Sequence, residues 1–404
     1  MPTYTYRARD EHGKSVSGTM DAASGDELTA KLHKMGFMAT AVNAVKPGIS
    51  VDDIAARYRP IKTQDVLVFY FQLANLIESG VPILTALRTI EVQAGNKKLK
   101  RIIGEVQRNI ESGALFSASL SRHPRVFTGL FISMVKAGEE SGKLDKVLRR
   151  YALYAETQAE LREKVRGALF YPAVLCIASL AVILFVVTSI IPQFVDIFTK
   201  AGVRLPLITR ILFVFGLFIK RYWLLLIFGF AALWVWARSY RLSQGGRRQL
   251  DRLMLKAPVI GVLARKIFIS RFTRTLATLL SSAVAILQSL DITREVIGNA
   301  VMAEAILKVR QAVEQGQKIS EPLKISGEFP PDTVEMIAVG EETGNLDEML
   351  NKIADFYDMA VGYTIKKLTT IIEPLFLVVM GSIVAFIMAS ILMPIFDMVK
   401  ILRH

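Results

Sequence analysis

The sequence contains few of the residues on which disulfide-stabilised proteins and many enzymes depend. Its 404 residues include one cysteine, Cys176, so an intrachain disulfide cannot form. Four histidines are scattered at positions 12, 33, 123 and 404, and there is no His-Glu-x-x-His, cysteine pair or Gly-x-Ser-x-Gly. These absences exclude the common zinc, redox and hydrolase motifs. We therefore expect a protein that is not an enzyme and that has no cofactor, and no metal site is predicted from these motifs.

Two further signals are missing. Lys and Arg outnumber Asp and Glu by 50 to 36, but no aromatic-basic stripe accompanies them, so nucleic-acid binding is not expected. The first seven residues lack the basic-then-apolar pattern of a secretory signal, and we expect the chain to start in the cytosol. Hydrophobic residues make up 52% and charged residues 21%. That mixture suits a membrane protein with large aqueous domains, whose positive charge faces anionic membrane lipids.

The sequence does contain a long internal repeat. Residues 73–87 recur at 276–290 with eight of fifteen positions identical, and residues 138–145 recur at 340–347. The offset is 203 in the first block and 202 in the second, so one residue was gained or lost between them. A repeat of this length reports on architecture. It predicts that a helical module and the membrane span that follows it were duplicated together.

Three apolar stretches are candidate membrane spans. Residues 169–191 and 374–396 lie at equivalent places in the two repeats, and each is long enough to cross the hydrocarbon core. The middle stretch, 222–237, is free of charge but shorter, and Lys220-Arg221 precedes it. Because this basic pair is costly at mid-bilayer, we place it at the interface and predict a separate interfacial helix over 211–219.

The repeat and the charge distribution predict the topology. If both modules lie in one compartment, the first and third spans cross in the same direction and the second span brings the chain back. Segment 238–266 holds eight basic residues, against five in loop 192–221. The positive-inside rule then places both modules in the cytoplasm and the C-terminus outside.

The soluble parts differ in pattern. Residues 3–20 alternate as a hairpin with a turn at His12-Gly13. Ser24 offers an N-cap to a helix that presents Leu28, Leu32 and Met35 on one face, and residues 37–45 form a closing strand. This order predicts a small β-β-α-β domain. Glycine and proline breaks predict about six helices in each module and no strands. Ala283-Val-Ala285 stands where Gly80-Val-Pro82 breaks the first module, so this turn is expected to differ between the copies.

The fold class is therefore a mainly α polytopic membrane protein with three transmembrane helices, two duplicated cytoplasmic helical-bundle domains and a small N-terminal α+β domain. The predicted boundaries are an N-terminal domain 1–50, a linker 51–62, helical repeat 63–168, transmembrane helix 169–191, a periplasmic loop 192–221, transmembrane helix 222–238, a cytoplasmic connector 239–264, helical repeat 265–369, transmembrane helix 370–396 and a periplasmic tail 397–404.

The most specific local motif is Gly-Glu-Glu-Ser/Thr-Gly-x-Leu-Asp, present in both repeats. Its members are Gly138, Glu139, Glu140, Gly142 and Asp145, and Gly340, Glu341, Glu342, Gly344 and Asp347. The glutamates fall near the C-terminal end of a helix, where carboxylates oppose the macrodipole. Two interpretations stay open. In the first, the glutamates contact basic residues of a partner or bind a hard cation. In the second, they form an internal salt bridge or a turn that locks neighbouring helices. The block is not a phosphate loop, since its glycines are too close together and Leu144 follows Lys143.

A second set of candidates lies where the spans begin and end. Glu373 is an ionisable group at the start of the third span and therefore a candidate for partner contact. Pro172 and Pro374 precede the first and third spans, and Pro192 and Pro394 follow them. We interpret these prolines as devices that start or kink helices.

Together these motifs resemble the type II secretion F / type IV pilus PilC family. The resemblance covers nearly the whole chain. It rests on the repeated Gly-Glu-Glu block, Phe170-Tyr-Pro172, Glu373-Pro374, Pro192-Gln-Phe194, Pro394-Ile-Phe396, Asp251-Arg-Leu and Pro258-Val-Ile-Gly261. It implies an inner-membrane platform protein, homodimeric or higher in order, that couples a hexameric cytoplasmic assembly or retraction ATPase to the movement of pilin or pseudopilin subunits. Inner-membrane alignment proteins are further implied partners, and no catalytic residues are implied. Pilus assembly and secretion are not separated by these motifs.

The alternative is a small membrane transporter or channel component built from parallel repeats. Transporters place their sites at mid-membrane, whereas these spans carry no charge there. For contact with the motor or with the subunits we predict Glu139, Glu140, Glu341 and Glu342. Asp145, Asp347 and Glu373 are further candidates for partner contact.

Overall fold

The computed structural model describes residues 3–9, 15–22, 24–44, 60–200 and 207–402. Within these ranges the chain is mainly helical, with one three-stranded sheet near the N-terminus. The sheet domain and the main helical part belong to separate compact units. This arrangement confirms the predicted fold class.

The N-terminal domain has the predicted β-β-α-β order. Strands β1 (Thr3–Arg9), β2 (Ser15–Asp21) and β3 (Met38–Ala44) form an antiparallel sheet in the order β2-β1-β3, and helix α1 spans Gly25–Lys34. Ser24 caps α1, since its hydroxyl accepts the N–H of Glu27 at 3.2 Å. Leu28 and Leu32 are buried, but Met35 is exposed because α1 ends before it. The turn expected at His12-Gly13 and residues 51–59 of the expected linker lie outside the described residues.

Each repeat contains six helices, as predicted. The first repeat consists of α2 (Thr63–Glu78), α3 (Ile83–Gln93), α4 (Lys97–Glu111), α5 (Phe116–Ser121), α6 (Gly129–Ser141) and α7 (Leu144–Phe185). The second consists of α11 (Ile260–Ser281), α12 (Ile286–Val296), α13 (Ala300–Glu314), α14 (Ser320–Ser326), α15 (Pro331–Thr343) and α16 (Leu346–Leu402). Between them lie a π-helical segment (Val186–Ile190), α8 (Ile191–Lys200), α9 (Leu207–Leu242) and α10 (Gln244–Lys256).

Each of the two cores contains an equivalent pair of phenylalanine rings. The rings of Phe69 and Phe127 lie 5.5 Å apart in the first repeat, and those of the equivalent Phe272 and Phe329 lie 4.9 Å apart in the second. All four side chains are buried. Such a pair contributes about 0.5–1.5 kcal/mol beyond the area that it buries. The duplication therefore preserved a packing unit as well as a surface motif.

The first turn of the second repeat corrects one expectation. Ala283 takes the same left-handed conformation as Gly80, with φ of 60° against 82°. The two turns also share their hydrogen bonds, from Val81 N to Leu76 O and from Val284 N to Leu279 O. The turn is thus the same in both copies, because the packing of the flanking helices imposes the conformation even on alanine.

The long helices correct the boundaries placed at prolines. Pro172 lies inside α7, and Pro374 and Pro394 lie inside α16, so none of them begins or ends a helix. The last helix of each module therefore continues into the membrane span without a break. Pro192 is the second residue of α8, two positions after the π-helical segment. A local π-turn accommodates a proline that cannot donate to the preceding turn, which explains why the helix continues to Lys200.

The middle span is also one helix. The structure gives α9 over Leu207–Leu242, where an interfacial helix over 211–219 was predicted to be separate from the span. Lys and Arg are good helix formers, so Lys220-Arg221 does not interrupt the helix. Likewise α16 continues past the predicted end of the third span to Leu402, and the predicted loop 192–221 is helical over its described residues.

Three helical stretches are long and apolar enough to cross a membrane: Leu144–Lys200, Thr209–Arg241 and Leu346–Met393. They meet at one end, where Thr209 donates a 2.6 Å hydrogen bond to the carbonyl of Ser390 and Val187 packs in a cluster with Leu212. Only 11%, 6% and 11% of their most apolar stretches are buried within the chain. Most of each span therefore faces lipid or another protein.

Candidate functional site

Both copies of the Gly-Glu-Glu block end a helix and begin the next. Gly142 and Gly344 end α6 and α15 in the left-handed conformation, with φ of 66° and 73°. Gly138 and Gly340 allow α6 and α15 to lie against the helices that follow. A Cβ at Gly138 would come within 3.2 Å of the Cα of Leu144. The four glycines thus set the sharp reversal that positions the glutamates.

The first glutamate of each pair caps another helix of its own repeat. The carboxylate of Glu139 accepts the backbone N–H groups of Phe116 and Ser117 at 2.6 and 3.1 Å, at the N-terminus of α5. In the second repeat, Glu341 accepts the N–H of Ile319 and, at 2.9 Å, that of Ser320 at the start of α14. A carboxylate that opposes its own helix dipole is favourable at the N-terminus of another helix. The internal interpretation therefore accounts for Glu139 and Glu341.

The second glutamate of each pair is exposed. Glu140 is 69% exposed and lies 3.9 Å from Lys136, one turn earlier. Glu342 is 64% exposed and accepts a 3.0 Å hydrogen bond from Lys318, and this bond raises the pKa of the lysine. Exposed pairs of this kind contribute little to stability. Glu140 and Glu342 are consequently available to a partner.

The remaining candidates are spread over the structure. Asp145 and Asp347 lie in the first turns of α7 and α16, as expected, and Asp347 accepts a 3.2 Å hydrogen bond from Ser281 at the end of α11. Glu373 is exposed on α16, one residue before Pro374, and belongs to neither block. Among the described residues no group of three or more His, Cys, Asp or Glu side chains is arranged to hold a metal ion.

Sequence reasoning missed the contacts that join the two repeats. Helix α7 of the first repeat packs on α11 and α16 of the second. The hydroxyl groups of Tyr154 and Thr275 lie 3.1 Å apart in a buried hydrogen bond. The guanidinium of Arg150 donates to the carbonyl of Ser281 and, at 3.4 Å, to the hydroxyl of Ser282. No periodic pattern marks these residues, because each contact joins positions more than 120 apart.

A partly buried ionic cluster in the second repeat was also missed. Arg274 of α11, only 15% exposed, contacts the carboxylates of Asp355 at 2.5 Å and Asp358 at 2.8 Å on α16. Burial lowers the pKa of Arg274, but its hydrogen bonds to both aspartates outweigh that effect and raise it. Ser270 donates a further hydrogen bond to Asp358. The cluster fixes the register of α11 on α16 below the third span.

Comparison with known proteins agrees with the duplicated architecture. The model of type II secretion system protein F matches the chain twice, at residues 69–192 and 272–394, and the model of that protein's N-terminal domain matches residues 1–43. The chain belongs to the type II secretion system protein F family. The double match within one chain confirms the internal repeat.

Members of the protein F family from both kinds of machine align with nearly the full chain. The type IV pilus assembly protein PilC of Thermus thermophilus is 38% identical over 99% of this chain and 98% of its own length. PilC of Myxococcus xanthus is 34% identical over 98% and 94%. The type II secretion system protein F of Xanthomonas campestris is 32% identical over 98% and 99%. These relatives and the three apolar helices identify the chain as a multi-pass inner-membrane protein.

Proposed function

We propose that this protein is the inner-membrane platform of a type IV pilus or type II secretion machine, and that it couples a cytoplasmic hexameric ATPase to the insertion or extraction of pilin subunits. The observation that carries the proposal is the duplicated block. It presents two exposed carboxylates, Glu140 and Glu342, at equivalent helix ends of two modules that are continuous with membrane spans.

The motor contact is assigned to the exposed glutamates. Because the carboxylates of Glu139 and Glu341 already bind backbone N–H groups, they hold the block in shape. Glu140 and Glu342 are free to exchange Lys136 and Lys318 for basic residues of a partner, at little cost in stability. A rigid block with one exchangeable charge is suited to a contact that is repeatedly made and broken.

The pilin contact is assigned to the membrane spans. Since so little of their apolar surface is buried within one chain, the three spans do not enclose a path for a transported solute. An exposed apolar helix can instead pack against the membrane helix of a pilin or pseudopilin subunit. No structural observation favours the transporter alternative.

The contact with a second copy of the chain is assigned to α16. In the first repeat Tyr154 and Leu161 are buried, and Tyr154 is bonded to the second repeat. The equivalent residues of α16, Phe356 and Tyr363, are exposed, as is Met359 between them. A face that packs on a neighbouring module in one repeat and is uncovered in the other is suited to the corresponding contact between two chains.

The proposed orientation places the N-terminus and both repeats in the cytoplasm and the C-terminus in the periplasm. It is supported by the excess of basic residues in segment 238–266. With Cys176 replaced by Ser, a cysteine at the exposed Val339 should resist a membrane-impermeant maleimide in intact cells, and one at the exposed Gln193 should react. Labelling of position 339 from outside would disprove the orientation.

The motor role is tested by charge reversal of Glu140 and Glu342 to Lys in the same chain. We expect normal insertion and abundance but loss of filament assembly or secretion. The matched control is Glu160→Lys, since Glu160 is similarly exposed and also pairs with a lysine one turn away. Normal assembly by the double variant would refute the role of these glutamates.

A further inference from the structure

The turn between α10 and α11 carries apolar side chains that are exposed. Leu253 on α10 and Val259, Ile260 and Val262 around the turn are at least half uncovered. Exposed basic residues, Arg252 and Lys256, lie among them, and residues 252–266 contain no acidic residue. We call Arg252, Leu253, Lys256, Val259, Ile260 and Val262 the connector patch.

A tight turn holds the connector patch together. The N–H of Ile260 donates to the carbonyl of Pro258 at 2.8 Å, and Val259 between them has φ of 73°. This is a three-residue turn in a conformation that β-branched residues rarely adopt. The next residue, Gly261, lies so close to the end of α10 that an added Cβ would come within 2.8 Å of the Leu255 carbonyl carbon. The end of α10 and the start of α11 therefore move as one.

The pairing of α11 with α16 gives the height of this turn. Arg274 contacts Asp358, and the ammonium of Lys266 lies 2.8 Å from the hydroxyl of Thr364, so the numbering falls along α11 as it rises along α16. Val259 precedes Lys266 by seven residues, which places it about 10 Å further towards the third span. Ile371 follows Thr364 by seven residues, so it lies at about the same level on α16 as Val259. Pro374 and the apolar run of the third span begin at that height.

The second span leads directly into α10, the helix that carries the first residues of the connector patch. Helix α9 ends at Leu242, and Ser243 caps α10 by accepting the N–H of Gly246 at 3.1 Å. The chain thus passes from the second span into α10 with a single residue between the helices. The connector patch thus lies on the segment that joins the second span to the second repeat.

We propose that the connector patch inserts into the anionic lipid surface beside the second and third spans. Val259, Ile260 and Leu253 would occupy the boundary between head groups and acyl chains, and Arg252 and Lys256 would bind lipid phosphates. This contact sets the height of the second repeat against the bilayer. It does not depend on the motor or pilin contacts proposed above.

The test uses the full-length protein, with Cys176 replaced by Ser, in vesicles of phosphatidylcholine with and without phosphatidylglycerol. A bimane label at Ile260→Cys should emit to the blue and be quenched by lipid spin-labelled near the head group, more strongly in the anionic vesicles. The control is Val339→Cys. Its neighbour Gly340 lies against Leu346, 25 residues before Ile371, so the control is about 37 Å from that height. It should be quenched by aqueous iodide and not by lipid.

Two variants separate insertion from mere proximity. Arg252→Glu with Lys256→Glu should lower lipid quenching at position 260 at least about twofold in anionic vesicles and little in neutral ones. Val259→Gly suits the positive φ, so it should fold normally and still lower the quenching. Iodide quenching at 260 equal to that at 339 would overturn the proposal, because it would show that the connector patch lies in water.

Discussion

The carboxylate of Glu139 accepts the backbone N–H of Phe116 at 2.6 Å, and Glu341 makes the same contact with Ile319 in the second repeat. Each glutamate lies more than 20 positions from the residue whose N–H it accepts, yet the contact is present in both repeats. A glutamate at the end of one helix thus fixes the beginning of a short helix that has no side-chain cap of its own. The repeated block is in this respect a folding element.

Glu139→Gln and Glu341→Gln should each destabilise the protein. The amide keeps one acceptor oxygen and loses the charge, so one backbone N–H of the short helix loses its partner. We expect the free energy of unfolding to fall by about 1–2 kcal/mol in each variant. Denaturant titration of the purified protein, followed by tyrosine fluorescence, measures this change. Glu140→Gln and Glu342→Gln should stay within about 0.5 kcal/mol of the parent, and an equal effect of both glutamates would contradict the capping role.

The turn at Ala283 offers a stabilising substitution. A non-glycine residue in the left-handed conformation costs roughly 1–2 kcal/mol, whereas glycine costs about 0.5–1 kcal/mol in entropy. Ala283→Gly should therefore raise the free energy of unfolding by roughly 0.5–1 kcal/mol. The equivalent Gly80→Ala should lower it by a similar amount. Melting temperatures of the two variants should move in opposite directions, and a shift of both in one direction would show that the two turns are not equivalent.

The sequence predicts some features of the fold and the site, but not others. Helix ends at Gly142 and Gly344 follow from local conformational preference, and the spans follow from length and apolarity. The role of Glu139 could not be predicted because its partner is a backbone group in a distant helix. The continuity of α9 was missed since the cost of Lys220 and Arg221 in lipid was treated as a helix break, although charge placement and helix propensity are independent.

Breaking the ionic cluster of the second repeat should be costly at one aspartate and not at the other. Asp358 is largely buried beside Arg274, whereas Asp355 is 65% exposed. Asp358→Asn leaves a buried charge poorly compensated, and we expect a loss of about 3 kcal/mol. Asp355→Asn should cost at most about 1 kcal/mol, because solvent screens that pair. Thermal unfolding of both variants measures the difference, and similar losses would show that the burial of Asp358 is not decisive.

The tyrosine cluster of the first repeat predicts loss of stability in alkali. Burial raises the pKa of Tyr151 from its ordinary value of 10 to about 12, and burial also raises the pKa values of Tyr70 and Tyr154. The neutral phenol is thus favoured in the folded state. Its contribution is complete below pH 10 and is lost as the pH rises from 10 towards 12.

Melting temperatures recorded from about pH 9 to 12 should therefore fall steeply above pH 10, and phenolate absorbance should rise with unfolding. Tyr151→Phe cannot ionise and should flatten this decline. It should also cost about 1 kcal/mol at neutral pH, because the hydrogen bond to Thr128 is lost. An unchanged slope in the variant would mean that other groups control the alkaline transition.

The uncovered face of α16 predicts contact between copies of the chain. With Cys176 replaced by Ser, Met359→Cys should form a covalent dimer in the membrane, on mild oxidation or with a bifunctional thiol reagent, because this face is expected to pair with its copy in a second chain. Lys308→Cys is the matched control, since Lys308 is exposed on α13, away from this face of α16, and pairs with Glu304 one turn away. Met359→Lys should weaken the expected dimer, because a charge replaces an apolar contact. Size-exclusion chromatography with light scattering measures this change. If Met359→Cys stays monomeric with every reagent and Met359→Lys changes nothing, the face is covered by lipid or by another protein, and the equivalence with the buried Tyr154 face of the first repeat does not extend to assembly.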